Sequence, residues 1–150
     1  MPIRRPRVAL VFDSENAVQP DYVIKSIELA HRNGNIVLKT AFGYASLKLR
    51  RMYSRCGVKD YSRNGKIHKE KNSSDQRILD YVLEHCEEFD CCVIVSSDVD
   101  FAIVFEFLKE RGKRVVSHLT QSNTKYELKA SSNEFHRLFA QTPHKRPKAG

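Results

Sequence analysis

Two short segments hold most of the side chains that could do chemistry together. Asp13-Ser-Glu15-Asn16 follows an apolar run at residues 8–12, and Ser96-Ser-Asp98-Val-Asp100 follows a second at residues 91–95. Each run has the look of a strand buried on both faces and ending in paired acids. If the two strands are neighbours, up to four carboxylates crowd one crevice, and their repulsion raises their pKa values unless a cation is bound. Hard divalent ions such as Mg²⁺ or Mn²⁺ take oxygen ligands of this kind and keep some of their waters for chemistry. Taken singly, Asp98 or Asp100 could be only a helix cap or a first-turn acid.

Asp75 adds a third segment. At about 100° per residue it falls in the middle of the arc formed by Ile78, Leu79, Val82 and Cys86, while Asp80 and Glu84 point the other way. An acid on the apolar stripe of a helix, in its first turn, is placed to project over the end of a sheet. Stabilisation by the helix dipole explains the turn and not the face.

Other chemistries find no residues. The first strand lacks the GxGxxG that seats a dinucleotide, and no GxxxxGK[ST] loop occurs. Ser96 and Ser97 lack an evident base, the six histidines form no metal-binding spacing, and Asp13-Ser-Glu15 lacks the second Asp of a DxD phosphatase. The four cysteines show no CxxC pair, and three of them fall where the pattern wants core, which reads as buried thiols in a cytosolic chain. His118, at a strand end, is the histidine to watch.

The elements that must position these acids follow from the periodicity. Helices are expected from Pro20 to near His31, from Leu47 to Tyr53, from Ser74 to Glu87 with Ser73 and Gln76 as a capping box, and from Phe101 to Glu110, stopped by Gly112. Strands are expected at residues 8–12, 36–42, 91–95 and 114–119, with a weaker one at 57–61 and a polar loop at 62–74. Strands alternating with helices imply right-handed crossovers and a mainly parallel sheet covered on both faces, an α/β class. Such sheets place their sites beyond the carboxyl ends of the strands, where strand order reverses.

With 150 residues, 41% apolar and 29% charged, the chain suits one soluble domain. No apolar run is long enough to span a membrane, and the five-residue run at 8–12 is too short for a secretory signal. The formal charge of +8 is uneven: residues 1–7 and 142–150 hold three Lys/Arg each and no acid, and residues 48–71 hold nine against two acids. Basic flanks around an acidic centre suggest a polyanion whose phosphates the flanks hold. Arg50, Arg51, Arg55, Lys66, Lys69 and Lys71 are the candidate phosphate contacts; Tyr53 and Tyr61, interleaved with them, are candidates to stack on bases, with core packing expected for at least one. The chain divides into a basic arm (1–7), a domain (8–141) and a basic tail (142–150) that is expected to be flexible.

Phe12-Asp-Ser-Glu-Asn16, Lys71-Asn-Ser-Ser-Asp75, Val95-Ser-Ser-Asp-Val-Asp-Phe101 and Arg111-Gly-Lys-Arg-Val115 together resemble the successive motifs of NYN domains, PIN-like relatives of ribonucleases. Ser131-Ser-Asn-Glu-Phe135 resembles the family's closing segment, where a helix end leads into a short final strand. The resemblance covers about residues 8–138 and implies a three-layer, PIN-like (Rossmann-like) α/β/α sandwich with an acidic crevice that binds Mg²⁺ or Mn²⁺ and cleaves RNA, endonuclease action being expected over exonuclease action. It implies catalytic roles for Asp13, Asn16, Asp75, Asp98 and Asp100, with the four Asp as metal ligands. Two classes stay open: a metal-dependent ribonuclease acting on single-stranded or structured RNA in the cytoplasm, and an RNA-binding or partner-docking module without turnover. Homo-oligomerisation is open as well.

Overall fold

The computed structural model describes residues 4–64 and 73–140, with nothing described for the side chains of Asn64, Ser73 and Ser74. The main strands are β1 (Arg7–Asp13), β2 (Asn35–Phe42), β6 (Cys91–Val95), β7 (Arg114–Leu119) and β8 (Glu134–Arg137). Three two-residue strands intervene: β3 (Tyr44–Ala45), β4 (Lys59–Asp60) and β5 (Arg63–Asn64). The helices are α1 (Pro20–His31), α2 (Leu47–Arg55), α3 (Ser73–Glu84), α4 (Phe101–Glu110) and α5 (Tyr126–Ser131).

Six strands form one sheet in the order β4-β2-β1-β6-β7-β8, and every pairing in it is parallel. The chain builds outward from β1 through β2 to β4, then returns to lay β6 against the free side of β1. Strand order therefore reverses between β1 and β6, the two strands that end in acids.

Alternation sorts the core onto both faces. Val8, Leu10 and Phe12 of β1, with Cys91, Val93 and Val95 of β6, pack against Val23 and Ala30 of α1 and Leu49 and Tyr53 of α2. Ala9, Val11, Cys92 and Ile94 pack on the other face against Ile78 and Val82 of α3 and Phe101, Phe105 and Leu108 of α4. The result is the expected three-layer α/β/α sandwich. Asp90 pins the start of β1 by accepting from the backbone N–H of Arg7 at 2.8 Å and pairing with its guanidinium at 3.1 Å.

Three expectations need correction. The strand expected at 57–61 shrinks to Lys59–Asp60, and the chain turns directly after it, where the Asp60 carboxylate accepts from the N–H and hydroxyl of Ser62 and from Arg50. Helix α3 takes in Ser73 as its first residue instead of being capped by it, and Gln76 Nε2 donates to Asp80 Oδ1 at 2.9 Å. The same helix ends at Glu84, with a 3₁₀ turn at Cys86–Glu88 in place of its expected last turn. Of the cysteines, Cys86, Cys91 and Cys92 are buried and Cys56 is half-buried, all four as free thiols. Most of the 62–74 loop and the 142–150 tail lie outside the described residues. Among those described, no helix is long and apolar enough to cross a membrane.

Candidate metal centre

Asp13 is the last residue of β1 and is 2% exposed. Ser96, the residue after β6, donates its hydroxyl to Asp13 Oδ2 at 2.8 Å and accepts from the N–H of Asp98 at 3.0 Å. One serine thus fixes the first acid and the backbone that carries the second. Among the described residues, the buried Asp13 Oδ1 has no hydrogen-bond partner. Asp75, in the first turn of α3, brings a third carboxylate, and one oxygen each of Asp13, Asp75 and Asp98 lie within 4.8 Å of one another.

Asp98 Oδ1 accepts from the N–H of Asp100 at 2.9 Å, a turn that launches α4. Asp100 is the residue that caps this helix, yet its own side chain makes no capping bond and is exposed, outside the group of three. Glu15 turns toward the corner after β2, where Oε1 accepts from the N–H of Tyr44 at 3.1 Å. Asn16 Oδ1 accepts from the N–H of Ser97 at 2.7 Å and from Thr120 Oγ1 at 2.9 Å, tying the ends of β1, β6 and β7 together. Ser97 Oγ accepts from the N–H groups of Thr120 and Gln121, each at 2.9 Å. The turn that presents Asn16 runs through Ala17 at φ +56°, a left-handed position costly for any residue with a Cβ, and local strain of this kind clusters at functional sites.

The electrostatics follow from this packing. Burial pushes the Asp13 carboxyl up to about 8 against the pull of the Ser96 hydrogen bond, and the charges of Asp75, Asp98 and Glu15 add to the rise. Asp75 is pushed up to about 7, first by burial and then by the charges of Asp98, Asp100 and Glu15. Three converging carboxylates with one orphaned buried oxygen fit a hard divalent ion, whose charge would answer both the repulsion and the missing donor.

The basic candidates divide. Arg51 and Arg55 are exposed on α2, whereas Arg50 pairs with Asp60 at 3.0 Å. Lys66, Lys69 and Lys71 lie outside the described residues. Tyr53 is a core residue whose hydroxyl bonds Ser14 Oγ at 2.8 Å, behind Asp13. His118 is fully buried on the α1 face, bonded to Ser26 Oγ at 2.9 Å, and burial brings it down to about 3. Sequence reasoning missed the roles of Ser96, Ser97 and Thr120. Their signal was position alone, directly after buried strands.

The sequence profile of the NYN domain matches residues 7–139. Among solved structures, the chain is similar to a protein of unknown function from Vibrio parahaemolyticus, at 18% identity and a TM-score of 0.73, covering 91% of this chain and 95% of that one. At that identity the likeness speaks for the fold. No curated protein matches the chain.

Proposed function

The chain belongs to the NYN domain family, a PIN-like nuclease family, and on that premise we propose that it is a metal-dependent ribonuclease cutting RNA within the strand. The observation that carries the reading is the meeting of Asp13, Asp75 and Asp98, together with a buried Asp13 oxygen that no donor among the described residues satisfies. These three residues would hold Mg²⁺ or Mn²⁺. Bound there, the ion would polarise the scissile phosphate and lower the pKa of a water.

The rest of the chemistry belongs to the chain. Ser96 aims Asp13, and Asn16 locks the loops after β6 and β7, so the acids keep their spacing when a substrate phosphate enters. Asp100 stands beside the group of three and acts through its charge on Asp75. Arg51 and Arg55 supply exposed cations for flanking phosphates, with Lys66, Lys69 and Lys71 proposed to extend the same basic segment. Arg50 contributes through the Asp60 pair, which holds the segment after α2 in place.

The test is incubation of labelled single-stranded and structured RNAs with Mg²⁺, with Mn²⁺ and with chelator. Internal cleavage in the metal arms, abolished by chelator, is the expected result. Intact RNA in every arm, with retained binding, would replace this reading with that of a binding module.

A further inference from the structure

Because β4 is two residues long, it pairs only with Thr40 and Ala41 of β2. Among the described residues no strand lies beyond the Ile36–Lys39 stretch of β2, and a cavity of about 330 Å³ opens there, at the small end of ligand-binding clefts of roughly 300–1,000 Å³. Among the described residues its wall carries Lys39 and Lys59 and no acid. A second cavity of about 390 Å³ adjoins it, and the ring of Tyr61 borders both.

Tyr61 is built as a platform. It is 38% exposed although its ring stacks on Phe42, with centroids 5.4 Å apart and planes 22° apart. Phe42 is itself buried and braced by the edge of Tyr81 at 5.3 Å. The Tyr61 N–H donates to Ala41 O at 2.9 Å, which fixes the backbone beneath the ring. Lys59 Nζ stands 5.3 Å from the ring centroid. A rigid aromatic face, half open and flanked by a cation, is what an unpaired base and its phosphate recognise.

The platform also lies in line with the carboxylates. Phe42 is the β2 register partner of Asp13, and Tyr61 follows the next strand out, so its backbone lies about two strand spacings, ~10 Å, from the end of β1. The second cavity is lined by Asp80 and Glu84 as well as Arg77, which turns a phosphate chain toward the lysine side.

We propose that Tyr61 is a stacking subsite for an unpaired base next to the scissile position, with Lys59 on the adjoining phosphate, so that the substrate is single-stranded on this side of the crevice. This rests on the nuclease reading of the carboxylate site. Such a subsite selects against duplex, whose bases offer no free face.

The test measures binding in chelator, with fluorescein-labelled oligouridylate and the same strand annealed to its complement as probes. Wild type should prefer the single strand. Tyr61→Leu, which keeps an apolar cover on Phe42, should weaken single-strand binding about 5- to 150-fold while leaving duplex binding and Tm unchanged. Tyr61→Phe should bind as wild type, and Lys59→Gln should lower the salt slope by about 0.7. Unchanged single-strand affinity in Tyr61→Leu, or equal losses on both probes, overturns the subsite. Selective loss of binding in a protein that never cleaves would retain the subsite and sink the nuclease reading. Metal-dependent cleavage that Tyr61→Leu leaves untouched, with affinity also unchanged, would do the reverse.

Discussion

Asp13 and Glu134 stand on strands of one sheet, and the fold treats their carboxyl groups in opposite ways. Glu134, at the start of β8, accepts from Asn33 Nδ2 at 2.8 Å, pairs with Arg114 at 2.7 Å and meets His136 Nε2 at 3.1 Å. The Asn33 bond above all, helped by those of His136 and Arg114, brings it down to about 2 against a burial penalty larger than either of the latter two bonds. Asp13 has one donor, a bare second oxygen, and other acids as its nearest charges, and it is pushed up to about 8. An acid surrounded by donors is a fastener whose chemistry is finished. An acid buried among acids is complete only when something positive joins it.

The largest effect expected from this contrast is on turnover. Asp13→Asn, Asp75→Asn or Asp98→Asn should each cut metal-dependent RNA cleavage more than about 100-fold, beyond the 10–100-fold typical of groups that only orient a ligand. Ser96→Ala should fall within that 10–100-fold range, and rates with titrated Mn²⁺ would separate the two cases. Full activity in Asp98→Asn would break the comparison. Glu134→Gln should leave the rate at saturating metal unchanged.

Charge reversal at Arg51 and Arg55 should come next, lowering RNA affinity about tenfold and the salt slope by about 0.7 for each single-strand phosphate that is no longer neutralised. Binding isotherms at several salt concentrations check it. Affinity and slope equal to wild type would place the groove elsewhere.

The smallest effects concern stability, and there the two acids should differ in sign. Between about pH 4 and pH 8 the unfolded chain has released a proton that native Asp13 keeps, so metal-free stability falls as pH rises through that window. Asp13→Asn should flatten the slope and raise the metal-free Tm at pH 8 by ~3–6 °C, on the order of 1–2 kcal/mol. Glu134 works the other way. From pH 4.5 down to about 2 the unfolded chain takes up a proton that the native carboxylate refuses, so stability is lost as pH falls. Glu134→Gln should remove that acid limb and cost about 1 kcal/mol at neutral pH. Melting curves across pH for the three proteins read both slopes.

Much of this was legible in the sequence, for physical reasons. Continuous apolar runs such as Cys91–Val95 and the helical stripe of Phe101–Glu110 announce themselves, and both elements have the expected bounds. The two-residue pairing of Tyr44–Ala45 with Arg63–Asn64 carries no periodicity to read. Edge strand β8, Glu-Phe-His-Arg, is too polar to signal burial, and only the resemblance pointed to it. At the site, carboxylates stand out by type, and Asp75 by the face it occupies. Ser96, Ser97 and Thr120 do their work through backbone hydrogen bonds that span loops, which no local pattern encodes. Tyr53 and Tyr61 look alike in sequence, and only packing sends one inward and leaves the other as a platform.

The seating of β6 between β1 and β7 also governs when the site can exist during synthesis. Asp13 leaves the ribosome early, but Ser96, its hydrogen-bond partner, follows 83 residues later. Until then β1 carries an unpaired edge, and long-range closures of this kind fold slowly and expose edges to aggregation. The same delay keeps the centre from existing early. A nascent chain owns scattered acids and no centre, and the last of the three carboxylates arrives only when the central strand slides home.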